Sequence, residues 1–445
     1  MTLSITEYLE RGPSTSKEIQ AATGLSQSTV SRLLKKKGDS VIQLKRGRST
    51  RYAATRNAFG GNDKLPLSMI NVSGETILIA YIRPLNYGGF FVEIVRDFSP
   101  LLLGENEDGL YDDLPYFLYD LRPQGFLGRQ IAHAIASQSD DFPSNPDTWT
   151  TNHIGRYLIS NGDDLPGCFI FGEPSLLRVK RKPACVSDTD YPALAENVMN
   201  GDVPGSSAGG EQPKFTAFNG NLSSHVIVKF TPKGDNEIAA RWRDILITEY
   251  WAAKIISTGF FPAAKPRLFD IDGRLFLETQ RFDRFKEFGR LPMISLKVID
   301  AEFVGLGNNW ALIMRNLCKK NMVSKQDALD AQTLWHFGRL INNTDMHLGN
   351  LSLTIEYDSF QLLPVYDMCS MGFAPRSGGE VPPFSFKPLN IDKIDIDEEQ
   401  LWMIKSLAHK FWDHVVNDDR ISDQFRNFLQ KGNPIDSLWS SENFV

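Results

Sequence analysis

The stretch INNTDMHLGN, residues 341–350, is a polar segment set between two more apolar segments. The residues before it have helical spacing, with Ser324 expected as the N-cap and Asp327 three positions later. The residues after it, LSLTIE and FQLLPVYD, predict two short strands that are joined by a turn and end in Asp367. The sequence therefore predicts a helix, a polar loop, a hairpin and a second carboxylate, in that order.

Three side chains of this stretch, Asp345, Asn350 and Asp367, have the order that phosphoryl transfer requires. In protein kinases a loop Asp orients the attacking hydroxyl, an Asn five residues later binds metal, and an Asp beyond a hairpin also binds metal. Carboxylate and amide oxygens are ligands that Mg²⁺ prefers. Thr344 stands where eukaryotic kinases have an arginine, and YDM replaces their DFG. The pattern predicts a kinase-like Mg²⁺ site outside the eukaryotic motif.

Two other interpretations of the polar loop remain open at this stage. Asn and Asp are frequent in turns because their side chains bond to nearby backbone groups, so the loop can be purely structural. Asp345 and His347 are also compatible with a metal-dependent hydrolase, although His347 has no partner histidine at ligand spacing.

A lysine in an apolar strand gives a second signal. Lys229 lies in HVIVKF, residues 225–230, and a buried lysine is costly unless it is paired. In kinase-like lobes such a lysine holds nucleotide phosphates and pairs with a helix glutamate, here Glu249. VPGSSAGGEQPKFTAF, residues 203–218, predicts a small-residue loop that can wrap phosphates. The alternatives are a solvent-reaching edge lysine, a solvated glutamate and an ordinary hairpin loop.

The first sixty residues are basic, whereas the rest of the chain is acidic. Residues 1–60 carry 11 Lys/Arg and 4 Asp/Glu, a balance of +7 within a net charge of −6. Thr15 and Ser26 are expected N-caps of two helices separated by Gly24, and a basic hairpin with Gly47 at its turn follows. This order predicts a winged helix-turn-helix over residues 1–58, with a solvated basic helical bundle as the alternative.

A winged helix-turn-helix binds double-stranded DNA through its second helix and its wing. The expected DNA-binding residues are Gln27, Ser28, Thr29, Ser31, Arg32, Lys35, Lys45, Arg46, Arg48 and Arg51.

The sequence predicts an α+β chain in which two further parts follow the head. Residues 57–66 predict a linker from their Gly, Asn and Pro content. Residues 68–190 predict short antiparallel strands, then helices, and residues 191–445 predict a strand-rich lobe to about residue 290 followed by a helical lobe. The four cysteines form no CxxC pair, and no signal peptide or membrane-length apolar run is visible. A cytoplasmic protein with no membrane partner is therefore expected.

The sequence resembles the HipA-like Ser/Thr kinase toxins of bacterial toxin–antitoxin systems. The resemblance spans about residues 70–410 and rests on LPYFLYDLRPQGFLGR, SSAGGEQPKF, HVIVKF, ETQRFDR, NNTDMHLGNLSL and LLPVYDMCS. Within that family it is most similar to the YjjJ-type members, which carry a fused helix-turn-helix. The resemblance implies an N-terminal winged helix-turn-helix fused to a two-lobed, protein-kinase-like HipA fold, with residues 68–190 as the HipA N-terminal-like subdomain.

The resemblance also implies a role for each matching residue. Asp345 corresponds to the catalytic Asp, Asn350 and Asp367 to the Mg²⁺ ligands, and Lys229 to the lysine that contacts ATP phosphates. The other expected ATP-binding residues are Gly209, Gly210, Gln280, Phe282 and His347, where Gln280 replaces a more usual glutamate. Ser206 and the adjacent Ser207 correspond to the regulatory autophosphorylation site.

The implied function is an ATP- and Mg²⁺-dependent serine/threonine protein kinase with a fused DNA-binding head that can serve autoregulation. The expected partners are double-stranded DNA, a protein substrate such as an aminoacyl-tRNA synthetase or another translation protein, and a second copy of the chain in a homodimer. The alternative is a DNA-binding transcription regulator whose kinase-like body only senses nucleotide.

Overall fold

The computed structural model describes residues 3–46, 49–200, 212–307, 309–376, 379–386, 396–431 and residue 435, without the side chains of residues 45, 46 and 49. Helices and strands are mixed throughout this part of the chain, which confirms the predicted α+β class. Within it, no helix is both long enough and apolar enough to span a lipid bilayer.

The head is a winged helix-turn-helix. It contains α1 (Ile5–Leu9), β1 (Ser14–Thr15), α2 (Ser16–Thr23), α3 (Gln27–Lys36), β2 (Val41–Arg46) and β3 (Ser49–Ala54), with strand order β1-β3-β2. Thr15 and Ser26 cap α2 and α3 by accepting hydrogen bonds from the backbone N–H groups of Glu18 and Thr29. Gly24 ends α2 with a φ of 70°, a conformation that costs glycine little. The helices and the hairpin of the predicted head are confirmed.

The middle part is an antiparallel sheet covered by helices. It contains β4 (Leu65–Ile70), β5 (Thr76–Pro84), β6 (Phe90–Ile94), β7 (Leu110–Tyr111), α4 (Tyr116–Tyr119), α5 (Gly125–Ala136), α6 (Thr151–Asn161), β8 (Phe169–Phe171) and α7 (Glu173–Leu176). The strand order is β7-β6-β5-β4-β8. Pro123 lies in the break between α4 and α5, and Gly125 is the first residue of α5.

The head is bound to the middle part along one face of its wing. Backbone hydrogen bonds join the two parts from Arg56 N–H to the Pro84 carbonyl and from Asn86 N–H to the Ala54 carbonyl. One buried apolar cluster spans the junction and contains Ile42, Leu44, Ala53 and Leu85, with Phe91 and Leu110 packed against it. The junction is therefore an extension of β structure with its own core.

Arg83 of β5 crosses this junction and is 1% exposed. Its guanidinium donates to the backbone carbonyls of Asp39 and Asp63 and forms an ion pair with Glu93 at 3.0 Å. A buried arginine is tolerated only when its donors are satisfied, and the bond to Asp39 requires the head to stay in this position.

The segment predicted as a linker, residues 57–66, is packed into the core. Phe59 is 8% exposed and stacks on Phe90 at a centroid distance of 5.6 Å, with Phe171 edge-on at 6.0 Å. The prediction of a linker here was wrong. Phe59 packs on these two aromatic rings and so holds the segment in the core, although Gly and Asn surround it in the sequence.

The strand-rich lobe is built on one five-stranded sheet. It contains β9 (Cys185–Val186), α8 (Tyr191–Met199), β10 (Lys214–Asn219), β11 (Ser224–Phe230), α9 (Glu237–Gly259), β12 (Pro266–Ile271), β13 (Arg274–Gln280), β14 (Arg284–Phe285) and β15 (Gly289–Arg290). The sheet has the order β12-β13-β11-β10-β9, and β14 and β15 form a separate hairpin. β9 belongs to this sheet, although the sequence predicts that this lobe begins only at residue 191. The predicted domain limits remain predictions.

The helical lobe follows from residue 294. It contains β16 (Ile294–Ser295), α10 (Leu296–Phe303), α11 (Trp310–Lys319), α12 (Lys325–Leu340), β17 (Ser352–Glu356), β18 (Ser359–Leu362), α13 (Glu398–Val416) and α14 (Asp423–Leu429). Ser324 caps α12 by accepting from the N–H of Asp327, as predicted. The second hairpin strand does not reach Asp367: β18 ends at Leu362, and Val365 then bridges to Ala263 of the other lobe.

Candidate active site

A cavity of about 590 Å³ lies between the two lobes, a volume typical of small-molecule sites. The strand-rich lobe, the helical lobe and the middle part all contribute to its wall. Its polar lining includes Lys214, Lys229, Glu249, Gln280, Asp345, His347, Asn350, Asp367 and Asp120. The predicted catalytic and metal-binding residues and the predicted phosphate-binding lysine are thus brought together in one cavity.

Lys229 lies at the centre of a buried ion-pair cluster. Its ammonium donates to both carboxylate oxygens of Glu249 at 2.6 Å and lies 2.8 Å from Oδ1 of Asp367. β11 places the lysine, α9 places the glutamate, and the segment after β18 places the aspartate. The predicted Lys229–Glu249 pair is confirmed, and the solvent-reaching alternative for Lys229 was wrong because its side chain is buried.

The charges of this cluster depend on one another. Burial alone would lower the pKa of Lys229, but Asp367 and Glu249 outweigh it and raise that pKa. Burial acts to raise the pKa of Asp367, but Lys229 and Lys214 outweigh it and lower that pKa. Lys229 and Asp367 are therefore charged at neutral pH, and each is the main counter-charge that keeps the other ionised.

The polar loop is held by its own amide side chains. Asn343 accepts a hydrogen bond from the N–H of Asp345 at 3.0 Å, and Asn350 donates through Nδ2 to the Asp345 carbonyl at 2.8 Å. The Asp345 side chain is 49% exposed, and its Oδ1 lies 4.0 Å from Nε2 of His347. Burial raises the pKa of Asp345, an effect that His347 opposes. The loop thus fixes the backbone around a carboxylate that faces the cavity.

Asn350 and Asp367 form a donor set that fits Mg²⁺. Because Asn350 uses Nδ2 for its bond to the loop, its amide oxygen is not consumed by that bond. The Asp367 carboxylate faces the same cavity, and its φ of 54° is an uncommon left-handed conformation for a non-glycine residue. Among the described residues, no group of three His, Cys, Asp or Glu side chains could hold a metal. Two oxygen donors suit Mg²⁺, which is usually bound by one or two protein oxygens together with substrate phosphates.

The side chains of Gln280 and Phe282 line the cavity on the side of β13. Gln280 is the last residue of β13 and pairs with Val226. Phe282 lies 5.8 Å from the ring of Tyr366, the residue before Asp367. Gln280 and Phe282, two of the predicted ATP-binding residues, thus both line the cavity.

Two cavity residues were missed in the sequence. Lys214 is buried on β10 directly opposite Lys229 on β11, so two lysines from neighbouring strands reach the cavity. Burial lowers the pKa of Lys214. The signal for Lys214 was present, because Lys214, like Lys229, is a lysine within a strand that has apolar residues. Asp120 carried no such signal, because its contacts come from residues far along the chain.

Some predicted residues lie outside the described part of the chain. They are Ser206, Ser207, Gly209 and Gly210 of the small-residue loop and Arg48 of the wing. Lys45 and Arg46 belong to β2, but their side chains also lie outside it.

The third helix of the head, α3, presents a polar face to solvent. Val30 and Leu34 of α3 are buried, whereas Gln27, Ser28, Ser31, Arg32 and Lys35 are exposed and Thr29 is partly exposed. Arg51 on β3 is also exposed. This is the arrangement that the sequence predicts for a DNA-reading helix with a basic wing strand.

Three family models match the chain in succession. Residues 3–36 match the bacterial regulatory proteins of the arsR family, residues 61–180 match the middle domain of YjjJ-like toxins, and residues 206–426 match the HipA-like C-terminal domain. The first match ends with α3, before the wing strands β2 and β3, and the third spans both lobes.

The chain is also similar to known proteins over most of its length. It is 35% identical over 444 residues to "Toxin YjjJ" of Escherichia coli (strain K12), which covers 96% of each chain. Among solved structures it resembles HipA of Shewanella oneidensis MR-1, described in complex with HipB and operator DNA, with a TM-score of 0.52, 15% identity, and coverage of 84% of this chain and 96% of that chain. The structural likeness confirms the predicted HipA-type, kinase-like fold, and with the sequence matches it shows that the chain belongs to the HipA-like toxin family and, within it, to the YjjJ-like group.

Proposed function

We propose that this chain is an ATP- and Mg²⁺-dependent serine/threonine protein kinase with a DNA-binding head. The observation that carries the proposal is the Lys229 ammonium held between Glu249 and Asp367, in a cavity that Asp345 and Asn350 also line. Phosphoryl transfer needs positioning and electrostatic stabilisation more than covalent chemistry, and these side chains supply both.

Each side chain then has a distinct task. Asp345 accepts the proton of the substrate hydroxyl and orients its oxygen, as a half-exposed carboxylate at the mouth of a buried charge cluster can. Lys229 and Lys214 bind the phosphates, while Glu249 keeps the Lys229 ammonium in place.

Asn350 and Asp367 would hold Mg²⁺, whose charge neutralises the phosphate oxygens when it is bound. Gln280 and Phe282 line the end of the cavity proposed for adenine, and His347 and the loop glycines Gly209 and Gly210 are proposed to contact the nucleotide.

The head is proposed to bind double-stranded DNA through the exposed face of α3. A homodimer on a palindromic site would follow from the two-fold symmetry such heads commonly use. The protein substrate, proposed from the family resemblance, is an aminoacyl-tRNA synthetase or another translation protein. Ser206 or Ser207 is proposed as the site of regulatory autophosphorylation.

The proposal is tested by incubating the purified full chain with Mg²⁺ and ATP and mapping phosphorylated residues by mass spectrometry. Asp345→Asn is expected to lower phosphoryl transfer by at least roughly a hundredfold, because a positioned base typically contributes a factor of 10² to 10⁴. Thr344→Ala, an exposed neighbour on the same loop, is the matched control and should keep full activity. Undiminished transfer by Asp345→Asn would refute the role of Asp345.

The second candidate is a transcription regulator whose body binds nucleotide without transferring phosphate. The observation that favours it is the extensive junction between the wing and the middle part, which can relay nucleotide binding to the head. DNA affinity that changes with nucleotide, in a protein with no phosphate turnover, would support this candidate over the kinase.

A further inference from the structure

Asp120 of the middle part contacts the helical lobe at the edge of the cavity. It is the residue after α4, and its carboxylate accepts two hydrogen bonds from Ser295, from N–H at 2.7 Å and from Oγ at 2.6 Å. Asp120 and Ser295 both line the cavity between the lobes. The bonds join residues 175 positions apart, so they form only when the middle part and the helical lobe are assembled.

Ser295 is linked by strand pairing to the residues that follow Asn350. Ser295 of β16 pairs with Ser352 of β17, and the N–H of Leu296 donates to the Leu351 carbonyl at 2.8 Å. Leu351 is the residue next to Asn350 in the chain. A displacement of Ser295 would therefore move the backbone that carries the Asn350 side chain.

A second link leads from the same strand pair towards Asp367. The Ser352 hydroxyl lies 2.7 Å from the Tyr366 hydroxyl, which donates to the Gly349 carbonyl at 2.9 Å. Gly349 precedes Asn350, and Tyr366 precedes Asp367. Both donors of the proposed Mg²⁺ site are thus flanked by residues whose positions depend on the Ser295–Ser352 pair.

We propose that Asp120 is a positioning residue for the metal site: by fixing Ser295, the middle part holds in place the backbone segments that carry Asn350 and Asp367. The inference rests on the proposed function and extends it, because it gives the middle part a task in metal binding. Groups that orient metal ligands from outside the coordination sphere commonly change metal affinity by 10- to 100-fold when they are removed.

The chain offers a matched control with the same local chemistry. Asp244 on α9 accepts from Ser422 N–H at 2.8 Å and from Ser422 Oγ at 2.6 Å, and Ser422 is the N-cap of α14 as Ser295 is of α10. Asp244 is not among the described residues that line the cavity. Replacing either aspartate removes one carboxylate acceptor from an N-cap serine. Only Ser295, the partner of Asp120, is linked by strand pairing to the proposed metal site.

The test compares Asp120→Asn and Asp244→Asn in the full chain by their affinity for a fluorescent ATP analogue. Binding is measured in EDTA and then across a Mg²⁺ titration, so no turnover is needed. For Asp120→Asn we expect affinity in EDTA within about twofold of the parent, and a Mg²⁺ concentration for half-maximal effect raised roughly tenfold. For Asp244→Asn we expect the parent's Mg²⁺ requirement, with a loss of thermal stability similar to that of Asp120→Asn.

An unchanged Mg²⁺ requirement in a folded Asp120→Asn protein would overturn the inference. Weaker binding in EDTA would also overturn it, since Asp120 would then be a direct nucleotide contact. If Asp120→Asn does not fold, Ser295→Ala tests the same link, because it removes Oγ and keeps the backbone bond; a smaller rise in the Mg²⁺ requirement is then expected, and no rise refutes the inference. A parent protein that binds the analogue with no effect of Mg²⁺ would refute the proposed function itself.

Discussion

The head and the cavity place their polar residues in opposite ways. In the head, the DNA-binding candidates on α3 lie within nine consecutive positions and point to solvent. In the cavity, Lys229, Glu249 and Asp367 come from distant parts of the chain and meet within one buried network, with the half-exposed Asp345 at its mouth. Residues of the first kind act almost independently, whereas residues of the second kind determine one another's charge and position.

This difference predicts how each region responds to substitution. A side chain on the exposed face of α3 can be removed without leaving a buried partner behind, so its loss should affect binding alone. Removing one member of the buried cluster leaves an uncompensated charge, so its loss should affect both activity and folding.

The largest expected effect is that of Lys229→Met. It leaves Glu249 and Asp367 without their shared cation, and we expect the free energy of unfolding to fall by about 3 to 5 kcal/mol. Nucleotide affinity should fall by at least roughly tenfold, because a charge-assisted contact to phosphate is lost. Urea unfolding and binding of a fluorescent nucleotide measure the two effects on the same preparation.

Lys233→Met is the matched control for that prediction. Lys233 pairs with Asp272 at 2.7 Å, a distance close to those of Lys229, but the two side chains are 50% and 56% exposed. An exposed pair contributes about 0 to 1 kcal/mol, so this variant should keep its stability and nucleotide affinity. Equal effects of the two lysine substitutions would contradict the contrast between the exposed and buried networks.

The second prediction concerns acid, to which the two regions should respond differently. Burial lowers the pKa of His225 and of His336 to about 4, whereas the head contains no histidine. The unfolded chain, with an ordinary histidine pKa near 6.5, binds protons that the folded chain does not. The stability from neutral histidine is therefore fully present above about pH 6.5 and is lost as the pH falls towards 4.

Between pH 7 and pH 5, each histidine is expected to lower the free energy of unfolding by about 2 kcal/mol. Urea unfolding at pH 7 and pH 5 checks it, and His336→Gln should remove about half of the difference between the two pH values. His133→Gln, at an exposed position, serves as the control and should leave the difference unchanged. A difference that persists undiminished in His336→Gln would show that another group carries the acid sensitivity.

The smallest expected effect on folding is that of Arg32→Ala combined with Lys35→Ala on α3. We expect DNA affinity to fall by roughly tenfold at low salt, and the dependence of affinity on salt to weaken by about one unit of slope per lost phosphate contact. Stability and nucleotide binding should not change. Lys410→Ala, an exposed cation on α13, is the control for net charge and should leave the salt dependence as it was. Fluorescence anisotropy with a DNA duplex at several salt concentrations measures the affinity. An affinity and a salt dependence equal to those of the parent would contradict the prediction.

The sequence predicted those features that have a local physical cause. The caps at Thr15, Ser26 and Ser324 are bonds between residues three positions apart, and the structure confirms all three. Lys229 was predicted to be paired because an unpaired lysine cannot be accommodated in an apolar strand. The same argument applied to Lys214 and was not made.

The features that were missed or wrongly predicted depend on tertiary contacts. Asp120 gave no signal because Ser295 is 175 positions away. The linker prediction failed because the partners of Phe59 come from β6 and β8, and no local pattern announces that packing. The strand after residue 359 was extended too far because apolar residues up to Val365 pack on the other lobe without continuing the hairpin.

The docked wing has a consequence for the order in which the chain is made and for how it can be cut. The head leaves the ribosome before the middle part, so the residues that pack on Ile42, Leu44 and Ala53, which are Leu85, Phe91 and Leu110, are synthesised some thirty to seventy residues later. Until then the nascent head has one apolar face in water. Deleting residues 1–58 would strip the matching face of the middle part and leave Arg83 without its acceptor on Asp39. A chain without the head is therefore expected to be less soluble, which would confuse any test of regulation by the head. Substitutions on the exposed face of α3 are the better way to remove DNA binding.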